Sequence, residues 1–222
     1  MNFFAGALVT AALSVGATLA AQATTVTFDF ASASENSGYF QRASKLSFEK
    51  DGLDLDVSAH GYVTPQNEGD ELNAWTSLKV TRQNSYGLYI YSYWGDDHRV
   101  DGHWNEALKF DFNGSDVSIA SIRFGSYGSN DVFDLFVGDN GQLLYEGSNE
   151  VATWVHLDTE TSSLFAIGAS ENHSAFKVKK LVVNVAEPDD NEPEPVPLPA
   201  GGVLLLTGLA ALVARRKLGR SA

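Results

Sequence analysis

The stretch Ala107 to Phe124, ALKFDFNGSDVSIASIRF, decides the fold class. In its first six residues Leu108, Phe110 and Phe112 fall on one side of an extended chain, and Lys109 and Asp111 fall on the other. Side chains alternate across a strand, so this pattern predicts a strand with one face in a core and one in water. From Val117 the apolar positions run Val117, Ile119, then Ile122, Phe124. They change faces midway, and the reading that reconciles them is a second strand with a bulge near Ala120. Asn113-Gly114 lies between the two, with residue types suited to the left-handed backbone of a tight turn.

Outward from this stretch the same signature recurs. Strands are predicted over residues 25–30, 45–49, 53–59, 78–82, 86–93, 107–112, 117–124, 132–137, 142–145, 151–156, 164–169 and 176–185. No segment between them holds a 3.6-residue apolar period. Asp51-Gly52 separates two strands, and Asp139-Asn140-Gly141 is placed as a hairpin turn. The class is all-β, a sandwich or jelly roll over residues 24–186, flanked by a cleaved N-terminal signal helix and a C-terminal transmembrane helix.

The two ends differ from this middle. Residues 3–20 are almost wholly apolar or small, and Ala21-Gln22-Ala23 supplies a small-x-small site. Residues 1–23 therefore read as a signal peptide removed by signal peptidase after Ala23, although the leading Met1-Asn2 has no Lys or Arg. At the other end an acidic proline-rich linker, EPDDNEPEP over residues 187–195, precedes an apolar stretch and a basic cluster. The 19 residues from Val196 to Ala214 would make a helix about 28 Å long, against a hydrocarbon core of about 30 Å. Such a short span stops in the membrane with the help of Arg215, Arg216, Lys217 and Arg220, which stay on the cytoplasmic side.

Val196-Pro197-Leu198-Pro199-Ala200, then an apolar helix, then an Arg-rich end, resembles the VPLPA-CTERM sorting signal of the wider PEP-CTERM group. The resemblance covers the last 27 residues, 196–222. It implies processing by an exosortase-type membrane enzyme in a Gram-negative bacterium, with association with extracellular polysaccharide or biofilm. A looser resemblance to the middle domains of such exported proteins rests on Tyr86-Gly87-Leu88-Tyr89-Ile90, Val100-Asp101-Gly102 and Asn105-Glu106-Ala107-Leu108. It implies no activity.

Charge narrows the function classes. All 28 acids lie between Asp29 and Glu194, where only 11 of the 15 bases are found, a net of about −17 before the basic tail. Such a surface repels nucleic acid and anionic lipid, so no nucleic-acid partner is expected. Cysteine is absent, which removes disulfides, thiolate metal sites and a cysteine nucleophile together.

Two constellations stand out. Asp96, Asp97, Asp101 and Glu106, with His98 and His103 among them, crowd one loop. Calcium takes six to eight oxygen ligands and suits such a loop, but the spacing is not that of an EF-hand. The alternatives are a solvated acidic turn or, through the histidines, a transition metal. The second constellation is Tyr89, Tyr91 and Tyr93 on one strand face, with Trp94 beyond, a pattern that either stacks on sugar rings or fills a half-buried sheet. No G-x-S-x-G elbow or comparable catalytic motif occurs, and carboxylate pairs drawn from 28 acids discriminate nothing.

The sequence reads as a non-enzymatic protein, exported and held at least transiently in the membrane, then placed at the cell surface or in the extracellular matrix in a structural or adhesive role. A calcium-dependent or aromatic-platform glycan-binding module is the alternative, and a secreted glycan-active hydrolase the third.

Overall fold

In a computed structural model, the described residues are 23–33, 39–91, 98–171 and 173–185, with Trp75 described through its backbone only. The expected signal segment, the linker, the VPLPA motif, the apolar tail and its basic end all lie outside them. The chain divides into two compact units after Ala186, and the described residues belong to the first. Among them no helix is long and apolar enough to cross a membrane.

The fold is all-β and antiparallel, a single sheet that curls on itself into a sandwich-like form. Fourteen strands follow one another: β1 (Thr24–Asp29), β2 (Phe40–Ala43), β3 (Lys45–Lys50), β4 (Leu53–Tyr62), β5 (Ala74–Gln83), β6 (Gly87–Tyr91), β7 (Val100–Asp101), β8 (Glu106–Asp111), β9 (Val117–Gly125), β10 (Val132–Asp139), β11 (Gln142–Glu150), β12 (Trp154–His156), β13 (Leu164–Ala169) and β14 (Ala175–Val185). Their order across the sheet is β11-β10-β13-β8-β4-β5-β6-β14-β9-β12, with β3 beside β4, β2 beside β5, and β1 and β7 beside β14.

The curl is made at β5. Its first half, through Leu78, pairs with β4, and its second half, from Lys79, pairs with β6. One strand thus feeds two arms. Their inner faces meet in a single core that draws Leu55, Phe110 and Phe165 from one arm and Phe28, Ile122 and Leu181 from the other. Ring pairs cross between the arms, Phe28 with Phe112 at 6.1 Å and Phe124 with Phe133 at 4.9 Å. Each such side chain, once fully buried, contributes about 1.5–3 kcal/mol by leaving water.

The deciding stretch folds as its pattern demands. Leu108, Phe110 and Phe112 are fully buried while Lys109 and Asp111 face outward. In β9 the partner of Val182 is Ser121 and that of Val183 is Ile119, so Ala120 is the extra residue of a bulge. That insertion is what lets Val117, Ile119, Ile122 and Phe124 all point inward.

The Asp51-Gly52 and Asn140-Gly141 turns, all four residues at positive φ, close hairpins between paired strands. Asn113-Gly114 has the same backbone but joins β8 and β9, which belong to opposite arms. β2 and β7 carry no alternation that marks them as strands. They are extended because β5 and β14 offer them partners.

Candidate functional site

The tyrosine face is described at two of its positions, Tyr89 and Tyr91 on β6, which lie opposite Leu88 and Ile90 in the core. Its rings, however, hold cations. Arg42 lies over Tyr91 with its guanidinium carbon 3.6 Å from the ring centre, and Lys177 sits 4.6 Å from the centres of both Tyr86 and Tyr89. The negative face of each ring attracts the charge. Tyr89 is only 2% exposed, and its hydroxyl donates to Gln83 Oε1 at 3.2 Å. Tyr93 and Trp94 lie outside the described residues.

Of the acidic loop, Asp96 and Asp97 also lie outside the described residues. Asp101 Oδ1 accepts the amides of His103 and Trp104, at 3.0 and 3.3 Å, and so shapes the turn that leads into β8. Glu106 is fully buried at the start of β8, where its Oε2 accepts the Asp101 amide at 3.2 Å. Both carboxylates take part in the loop's own framework. Among the described residues, no group of three or more His, Asp or Glu is placed to hold a metal ion.

A larger feature lies on the outer face of the β4-containing arm. Pairing sets Asp56, Asp111 and Leu164 in one cross-strand row and Ser58, Lys109 and Ala166 in the next. Beside them the β10–β11 hairpin forms a wall. A Cβ on Gly138 would stand 2.7 Å from Leu164 Cβ and from Ser162 Oγ, so only glycine lets β10 approach so closely. The result is an open trough with two lobes. The larger, about 500 Å3, is lined by Lys109, Asp111, Asp116, the Asp139-Asn140-Gly141 turn and Thr161 to Leu164. The smaller, about 190 Å3, runs on past His60, Glu71, Gln142 and Leu143. Lys109, Gly141 and Leu164 belong to both lobes and mark their junction.

The walls are braced from behind. Tyr62 donates its hydroxyl to Asp134 Oδ2 at 2.5 Å, Ser148 donates to Asp134 Oδ1 at 2.6 Å, and the Tyr145 hydroxyl meets Ser148 Oγ at 2.8 Å. Burial first, and then the Asp134 charge, push the Tyr62 hydroxyl far above its ordinary pKa, so it stays a donor. Backbone bonds from Gly69 to Tyr145 and from Leu72 to Leu143, each 2.7 Å, strap the β4–β5 loop to β11. The trough is therefore formed before any ligand arrives.

Its polar groups are unevenly committed. Asp111 accepts the Asn113 amide, Asp139 accepts from Asn140 Nδ2, and Gln142 Nε2 donates to Glu71. Lys109, Asp116, Thr161 and Ser163 spend no side-chain group on any hydrogen bond or ion pair among the described residues. His60 is half-buried, and its pKa is lowered by that burial and then by the Lys109 charge, which keeps the imidazole neutral near pH 7. His60 Nε2 lies 3.0 Å from Ser58 Oγ. A base beside a hydroxyl is the first requirement of an activated serine, but among the described residues no carboxylate bonds the imidazole to orient it.

Sequence reasoning missed this trough. Lys109 and Asp111 were legible as the wet face of a strand, and Asp139-Asn140-Gly141 as a turn, but nothing local says that they meet.

Compared with protein-family profiles, curated proteins and solved structures, the chain matches none of them. What fold and site define together is an all-β domain with a preformed polar trough on one outer face.

Proposed function

We propose that this chain is an exported protein of the cell surface or extracellular matrix, sorted through its C-terminal tail by an exosortase-type enzyme, whose β-domain is structural or adhesive and not catalytic. The observation that carries the adhesive part is the trough, an open polar surface on central strands beside a hairpin wall that a hydrogen-bond network anchored on the buried Tyr62–Asp134 pair braces. A site built in advance loses little conformational entropy when it is filled. The order of the terminal segments supports the location: small-x-small site, domain, acidic linker, VPLPA motif, apolar run, basic end. Glycan contact fits the trough better than the tyrosine face, where cations already cover the rings.

Removing Arg215 to Arg220 tests the sorting claim. The apolar run from Gly201 to Ala214 is only 14 residues long, and without its basic end it lacks the charge that holds it at the inner leaflet. The expected outcome is loss of processing, with unprocessed protein failing to reach the surface by cell fractionation. Unchanged processing and surface display would remove the sorting role from this tail.

A further inference from the structure

We infer that the trough beneath the β10–β11 hairpin holds an internal segment of a neutral polysaccharide, with Lys109 at its centre donating to sugar oxygens. This rests on the reading of the trough as the domain's binding surface.

Charge disfavours a polyanion. One ammonium stands among the carboxylates of Asp111, Asp116, Asp139 and Glu71, so a polyanion meets net repulsion along the walls. A cationic chain is drawn by the same carboxylates and opposed only at Lys109, which lines both lobes, so the chitosan arm of the experiment decides between it and a neutral chain. A peptide adding as a strand needs an open sheet edge, whereas the floor is β8 and β13, each paired on both sides.

The groups that remain suit hydroxyls. Ser163 and Thr161 both donate and accept, Asp116 accepts, and Lys109 donates three times, all with their capacity unspent. Leu164 and the methylene stem of Lys109 give the C–H faces of sugar rings an apolar floor. Both lobes are open and adjacent, sharing Lys109, Gly141 and Leu164, so a chain laid across the two would present its middle and not only its terminus.

Calorimetry on the full-length chain in detergent tests this with neutral hexasaccharides of glucose (α-1,4 and β-1,4) and mannose. Hexagalacturonate and a chitosan hexamer serve as the charged arms. We expect at least one neutral hexamer to bind, tenfold or more tighter than its monosaccharide and than either charged hexamer. Lys109→Met, which keeps the stem and removes the charge, should weaken it at least tenfold. Asp116→Asn, in the lining of the larger lobe alone, should weaken it several-fold.

Cooperative urea unfolding with an unchanged midpoint slope reports that Lys109→Met is folded. The inference is overturned if a charged hexamer binds best, or if no neutral hexamer binds by ~10 mM. Neutral binding that ignores both substitutions, or that does not grow with chain length, overturns it as well. None of these results touches the sorting claim, which is read from processing and not from affinity.

Discussion

Arg82→Ala lowers the stability of the β-domain by about 2–4 kcal/mol, the cost of leaving its carbonyl partners without a donor and of emptying the space its buried side chain fills. Arg82 is among the largest fully buried side chains of the described residues. Its Nε donates to the Phe30 carbonyl at 3.0 Å, and its Nη2 donates to the Ser32 carbonyl and to Asn84 Oδ1. Phe30 is itself a core ring, stacked near Phe28 and edge-on to Phe48. One guanidinium therefore fixes the chain leaving β1 against β5, the strand on which the whole sheet turns. Burial pulls its pKa below the usual arginine value, and the Asp29 carboxylate opposes that fall.

Alanine leaves the Phe30 carbonyl without this donor in a buried site, at about 1–3 kcal/mol, and the half-buried Ser32 carbonyl at less. Arg82→Lys recovers only part of the loss, because an ammonium cannot reproduce the planar fork. Urea unfolding checks both variants. A change under about 1 kcal/mol for Arg82→Ala, the size expected of an exposed ion pair, would mean that this staple does not hold the curl.

Gly87→Ala is the second large effect. Gly87 opens β6 at φ +91°, and a Cβ there would lie 2.4 Å from the Val178 carbonyl oxygen and 2.9 Å from Lys179 Cα. Both obstacles are backbone of β14, so neither can rotate aside. Positive-φ strain of about 1–3 kcal/mol adds to overpacking of similar size, for about 4 kcal/mol together. Gly52→Ala is the matched control, since Gly52 has φ +80° and nothing within 4 Å of its missing Cβ. It should lose only the strain. Equal melting temperatures for the two variants would show that β6 and β14 do not approach as described.

These two residues also mark where sequence reading stopped. Strands with one wet face were legible because alternation is local: Lys109 and Asp111 against Leu108, Phe110 and Phe112. The bulge at Ala120 was legible for the same reason, since the apolar phase slips inside a single strand. Arg82 was not, because a basic residue in a strand reads as solvent-facing until Phe30 and Ser32, some fifty residues earlier, bring it carbonyls. Tyr89 and Tyr91 were placed on the correct face, but Arg42 and Lys177 reach their rings from strands whose adjacency no local pattern encodes.

The trough was invisible for that reason in stronger form. Its floor depends on β13 lying between β8 and β10, so Thr161 to Leu164 meets both Lys109 and the Asp139-Asn140-Gly141 turn. That order is set by which faces bury best against each other, a property of the whole sheet. No motif spacing records it.

The central claim is that the chain is exported and processed at both ends, and intact-mass analysis of the protein taken from the cell surface tests it most directly. The account predicts a mature chain that starts at Thr24 and has lost the stretch beyond the VPLPA motif at residues 196–200. Recovery of a surface chain that still runs from Met1 to Ala222 would contradict it, and so would finding the full-length chain only in the cytoplasm.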